Sequence, residues 1–229
     1  MQPIHKFLAP ALSFNGGYVD TVGFIALQGL FTAHVTGNFV TLGVSIVHGT
    51  SGAVGKLLAL PVFIAVVGLT HMAALQLHKR KLASLHLLLV AHVILLGLFA
   101  AFGITFGPFS NADSTLALVT GMTGVAAMAI QNTLSRQHLK TAPPTTLMTG
   151  NVTQVAIDVF ALIGLKDEQE RQAIRSRLKS IGANLLGFTL GCISAALMYL
   201  AVGLWSLVLP VAVAAWASIA AYGGSKPAL

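Results

Sequence analysis

Asp20 stands in the apolar stretch GGYVDTVGFIAL, and fourteen residues later His34 opens the short run His34-Val35-Thr36-Gly37-Asn38. The Thr-Gly-Asn triplet recurs at Thr149-Gly150-Asn151, and each copy heads a short apolar segment. A carboxylate inside an apolar span costs about 3 kcal/mol on insertion scales, so it faces the bundle interior or water and needs a partner or a proton. Asp20 therefore reads either as a protonatable group coupled to solute movement or as a packing residue bonded to nearby backbone. His34, beside the first triplet, is a candidate proton shuttle or solute ligand. Threonine and asparagine can cap the free N–H groups of a helix that begins in an apolar medium, and glycine lets the backbone turn. Two such helix starts facing each other would favour an anion or the oxygen-rich side of a polar solute, because each carries the positive end of a helix dipole.

Other polar residues fall near these. Asn132 lies opposite Asp20 when IQNTLSR is aligned with YVDTVGF and one residue is allowed for the Pro143-Pro144 insertion. Asp158, in the segment after the second triplet, is the next candidate, with Ser45 as its counterpart in the first half. The remaining histidines, including His86 and His92, have no metal-ligand spacing, and a single cysteine, Cys192, excludes an internal disulfide or a multi-cysteine metal site within one chain. No nucleophile elbow, P-loop or dinucleotide fingerprint is present. These residues call for no metal and no cofactor.

The elements that hold such residues must be membrane helices. The chain is 55% apolar and 8% charged, with a mean hydropathy of +0.83, far from the roughly one-quarter charged content of soluble domains. Six segments approach the about 20 residues needed to cross a hydrocarbon core: 11–32, 57–77, 83–106, 115–134, 181–200 and 204–222. The two segments after the triplets are shorter. Asn38–His48 would rise only about 16 Å as a helix, and Asn151–Leu165 about 22 Å.

Charge decides between the layouts. With six crossings, two re-entrant half-helices (38–48 and 151–165) and a cytoplasmic N-terminus, twelve of the 13 Lys and Arg residues lie inside and only Lys56 outside. Eight crossings would divide them eight to five, a weak bias by the positive-inside rule. The basic excess is thus a topology signal, not a nucleic-acid footprint, and it places both termini in the cytoplasm. The charged stretch KDEQERQAIRSRLKS is expected as a cytoplasmic connector, or as a helix on the leaflet surface. The first seventeen residues show no cleavable signal.

The expected fold is an all-α polytopic membrane protein with one membrane domain, built from two inverted three-span repeats over 1–110 and 111–229. Folds of this symmetry place their sites near the midplane, between the repeats. The function that fits is a small-solute transporter or channel, with Asp20, His34, Thr36, Gly37, Asn38, Asn132, Thr149, Gly150, Asn151 and Asp158 as the substrate-binding set. Two alternatives stay open: a membrane-embedded enzyme using Asp20 and His34 as an acid/base pair, and a non-catalytic assembly protein. The expected partners are the lipid bilayer and a small molecule or ion, with no nucleic acid; the many Gly and Ala residues leave room for a homo-oligomer.

The stretch GGYVDTVGFIALQGLFTAHVTGNFVTLG, with a second MTGN after Gln131-Asn132, resembles the YoaK family of bacterial transmembrane proteins over nearly the whole chain. Asp20, Gly23, Phe24, His34, Thr36, Gly37 and Asn38 fall where that family's pattern has them. In the second half the basic stretch after Gln131-Asn132 is broken by QHLKTAPP. The resemblance implies a bacterial inner-membrane location and carries no substrate.

Overall fold

Residues 5–224 are described by a computed structural model, in which every regular element is helical among the described residues. The elements are α1 (His5–Ala26), α2 (Gly37–His48), α3 (Ala53–Lys79), α4 (Ser84–Phe106), α5 (Thr115–His138), α6 (Met148–Gly164), α7 (Glu168–Val202) and α8 (Val208–Gly224), with a 3-10 turn at Gly203–Leu207 before α8. Four stretches are long and apolar enough to cross a membrane: 53–79, 84–106, 115–138 and the 55-residue run 168–222, which the 3-10 turn divides. At 22 residues, α1 has a length of about 33 Å. The shorter apolar helices α2 and α6 have 12 and 17 residues.

Polar side chains fix several helix starts by accepting their free N–H groups. Asp113 receives the N–H groups of Gly52 (2.8 Å) and Val54 (2.9 Å) at the head of α3. Ser114 caps α5 by accepting from Ala117, and Asp167 caps α7 by accepting from Gln169 and Glu170.

Small residues bring the long helices together. α1 and α7 run side by side in the same direction: Gly17 abuts the Phe188 carbonyl, Gly187 the Pro10 carbonyl and Gly191 the Phe14 carbonyl. α3 and α5 are likewise parallel, with Gly55 against Leu118 near one end and His71 bonded to Gln137 near the other. α4 is antiparallel to both α5 and α8. Phe99 lies on Gly124 and His92 Nδ1 meets the Ala127 carbonyl at 2.9 Å, while Gly103 lies on Leu207 and His86 reaches Ser218. α2 and α6 each pack on the long helix that follows them.

Two sequence expectations change. The first apolar segment does not run as a helix to residue 32: α1 ends at Ala26, where Gln28 (φ 51°) and Gly29 (φ 88°) take left-handed conformations and the Gly29 N–H bonds the Phe24 carbonyl. Leu27, Leu30 and Ala33 continue the apolar pattern because they are buried, not because they are helical. The charged stretch from Lys166 is neither a loop nor a separate surface helix. From Glu168 it is the first part of α7, continuous with the apolar part and supported by Glu168 beside Arg171 and Arg175.

Candidate functional site

Asp20 is 4% exposed on α1 and is the anchor of the loop that precedes α2. Its Oδ1 accepts the N–H groups of Thr32 at 2.8 Å and Ala33 at 2.7 Å, and its Oδ2 meets His34 Nδ1 at 2.7 Å. The carboxylate thus has both a backbone cradle and an imidazole partner. The His34 ring stands edge-on to Phe31 and Phe188, with centroids 6.1 and 5.8 Å away. No other partner lies on its second ring nitrogen among the described residues.

The loop turns back on itself. At one end Gln28 Oε1 accepts from Ser51 Oγ, so the two ends of the segment 28–51 are joined, while Thr32 and Ala33 near its start reach Asp20, two turns down α1. Asn38 closes the return: its amide donates to the Phe31 carbonyl (2.8 Å) and accepts the Phe31 N–H (2.8 Å). Asn151 does the same across the same seven-residue interval, donating to the Pro144 carbonyl at 3.0 Å. Proline has no N–H, so only one half of that clasp exists in the second loop. Asn132 accepts from Thr146 Oγ1 there.

Asn38 and Asn151 are therefore buried loop fasteners, and neither lines the cavities described below. The threonines do not cap. Thr36 precedes α2 without a side-chain cap bond, and α6 already begins at Met148, which puts Thr149 and Gly150 in its exposed first turn. Gly37 approaches the Phe31 ring closely enough that a side chain there would press on it.

Asp158 is not solvated. It is 1% exposed and takes a two-pronged bond from Arg177, with Gln154 donating at 2.8 Å. In the first half, Lys56 Nζ donates to Ser45 Oγ at 2.6 Å, so each short helix is pinned, at the residue seven past its asparagine, by a cation of the next long helix.

A family model described as a protein of unknown function (DUF1275) matches residues 8–220. The chain belongs to that family. DUF1275 is the YoaK-type domain that the motif resembles. Comparison with curated proteins and with solved structures gives no match.

Two cavities flank the first loop of this DUF1275 chain, and His34 lines both. One, of about 390 Å³, is walled by Ala33–Thr36, by Phe63, Val67 and His71 of α3, by Asn132, Thr133, Arg136 and Gln137 of α5, and by Leu147 of the second loop. The other, of about 430 Å³, lies between α1 and α7 and is lined by Asp20, Phe24, Phe31, Phe188 and Cys192 among others. Of the sequence candidates, Asp20, His34, Thr36, Gly37 and Asn132 meet at these cavities, whereas Thr149, Gly150, Asn151 and Asp158 do not. Arg136 and His71 were missed. Arg136 was read only as a topology charge, and its place four residues after Asn132, one helical turn on, was the available signal. Among the described residues no group of three His, Cys, Asp or Glu is arranged to hold a metal.

Proposed function

We propose that this DUF1275 protein is a small-solute transporter or channel of the bacterial inner membrane, whose solute passes the cavity where the two re-entrant loops meet. The observation that carries the reading is that cavity itself: Ala33–Thr36 from the first loop and Leu147 from the second share one wall system with Asn132, and the Asp20-bound His34 stands in it. A cavity of about 390 Å³ falls in the usual range for small-molecule sites, about 300–1,000 Å³.

The layout behind it is six crossings with α2 and α6 as half-helices, in two inverted repeats over 1–110 and 111–229. Its support is the set of matched pairs. The Asn38 and Asn151 clasps span equal intervals, Asp20 and Asn132 each hold the loop that follows, Ser45–Lys56 matches Asp158–Arg177, and the parallel pair α1 and α7 matches the parallel pair α5 and α3. Three crossings per repeat invert the second copy, so one loop enters from each side. Such an arrangement suits alternating access better than one asymmetric reaction.

The Asp20–His34 pair is also the geometry of an acid/base dyad, which keeps the enzyme as the rival reading. The test is thermal stability of the purified protein in detergent against small anions, neutral metabolites and pH, run with Asp20→Asn, His34→Ala and Thr36→Trp. A solute at about a hundred times its Kd stabilises by about 2.7 kcal/mol. The transport reading expects a solute class that stabilises the wild type and loses its effect when Thr36→Trp fills the cavity, and expects that solute to cross proteoliposome membranes unchanged. Chemical conversion of the bound compound, without flux, would replace it with the enzyme.

A further inference from the structure

The cavity shared by the two loops has one sign of fixed charge. Arg136 lines it, and among the described residues no carboxylate lies within ion-pair distance of that guanidinium or on the cavity wall. His34, whose Nδ1 is taken by Asp20, has its other ring nitrogen without a partner among the described residues, and His71 is a second imidazole on the wall. The rest of the lining is mainly apolar: Val35, Phe63, Val67 and Leu147. A guanidinium recognises a carboxylate with two parallel charge-assisted bonds.

The comparison between halves sharpens the point. The positions held by Asp20, Phe24 and His34 around the α1–α7 cavity are held by Asn132, Arg136 and Leu147 around this one. The half that lacks the carboxylate is the half that carries the extra cation. A cavity for a cationic or neutral solute has no use for that exchange.

We infer that the cavity takes a small organic monoanion, a carboxylate on a short apolar body, with its charge set against Arg136. The inference rests on the proposed solute-transport reading and names the substrate class of that same cavity. Arg136 carries the discrimination between carboxylate and neutral isostere, and Val67 and Leu147 face the carbon chain.

The experiment measures thermal stabilisation of the purified full chain in detergent by acetate, butyrate and octanoate, with butyramide and butylamine as uncharged and cationic counterparts. Wild type, Arg136→Gln, Arg136→Lys and Leu147→Trp are compared, each first checked for an unchanged melting temperature without ligand. Arg136 and Leu147 are both exposed, so neither replacement disturbs a packed core. The inference expects butyrate to stabilise the wild type and the amide and amine not to, with Arg136→Gln weakening butyrate at least about tenfold, Arg136→Lys less, and Leu147→Trp abolishing binding. Affinity that peaks at butyrate assigns a soluble metabolite. A steep rise to octanoate assigns a lipid-derived acid, still a carboxylate on an apolar body. Butyramide or butylamine binding as well as butyrate, or butyrate binding indifferent to Arg136→Gln, would overturn the inference, as would no binding by any of the three acids. Flux in proteoliposomes separates the two claims: carboxylate binding without flux overturns transport and leaves the site's chemistry standing, and flux of a neutral solute through the same cavity does the reverse.

Discussion

Replacing Asp20 by alanine removes the acceptor of two short backbone bonds, Thr32 N–H at 2.8 Å and Ala33 N–H at 2.7 Å, together with the His34 bond at 2.7 Å. Thr32 and Ala33 are 0% and 5% exposed, so water does not replace the lost acceptor without reopening the loop. A buried donor left without a partner costs about 1–3 kcal/mol, and two of them give about 2–6 kcal/mol. Asp20→Asn is a different perturbation. Its carbonyl oxygen still receives both N–H groups, its NH2 faces His34 Nδ1 and is accepted there only when the ring proton sits on the other nitrogen, and the ionic strengthening of the bonds is lost, about 1–2 kcal/mol in all. The proposed second repeat already uses asparagine at this place, where Asn132 holds Thr146. The assay is the unfolding equilibrium in mixed detergent micelles, with wild type, Asp20→Ala and Asp20→Asn compared by helix content. The expected order is wild type, then Asn close behind, then Ala well below. Equal stability of all three would refute the claim that this carboxylate fastens the loop, and equal damage from both replacements would show that charge, not bond geometry, is what the site needs.

The asparagine clasps should differ in the same assay. Asn38→Ala loses two backbone bonds and Asn151→Ala one, beside a weak bond to Met148 Sδ, so the first should cost about twice the second on the scale of about 1–3 kcal/mol per orphaned backbone group. Arg177→Gln should destabilise by about 2 kcal/mol, less than the about 3–5 kcal/mol of a fully buried pair because the Arg177 side chain is 49% exposed. Gly191→Ala would drive a methyl group into the Phe14 carbonyl and separate α1 from α7, costing about 1–3 kcal/mol, whereas Gly182→Ala, inside α7 with open space around it, should be tolerated and stabilise by up to about 1 kcal/mol in thermal melts.

Much of this was legible from residue types. The hydropathy identified a membrane protein, the short runs after each triplet became α2 and α6, and the isolated Asp20 was found with the partner its setting demanded. The boundary of α1 was not legible, because Leu27, Leu30 and Phe31 continue the apolar pattern of the helix while lying in a buried, irregular return. Hydropathy measures burial and is blind to whether the buried chain is helical. The role of the asparagines was hidden for a related reason. An amide can be satisfied in many ways, and only coordinates reveal a partner seven residues back rather than at the helix start. Lys56 and Arg136 were both counted as topology charges, since the positive-inside rule sums charges and ignores where they point; one is buried against Ser45 and the other lines the cavity.

The central claim is that the loop and short helix of each half enter and leave the membrane on one side, with the two halves inverted. Single cysteines at Thr50, Ser110, Ala83 and Lys166, placed in a Cys192→Ser background, test it by labelling intact spheroplasts with a membrane-impermeant maleimide. The account predicts that positions 50 and 110 react from outside, and that positions 83 and 166 react only after the membrane is permeabilised. With the N-terminus cytoplasmic, protection of positions 50 and 110 in intact spheroplasts, with position 83 reacting from outside, would make α2 a crossing helix and contradict the paired-loop site.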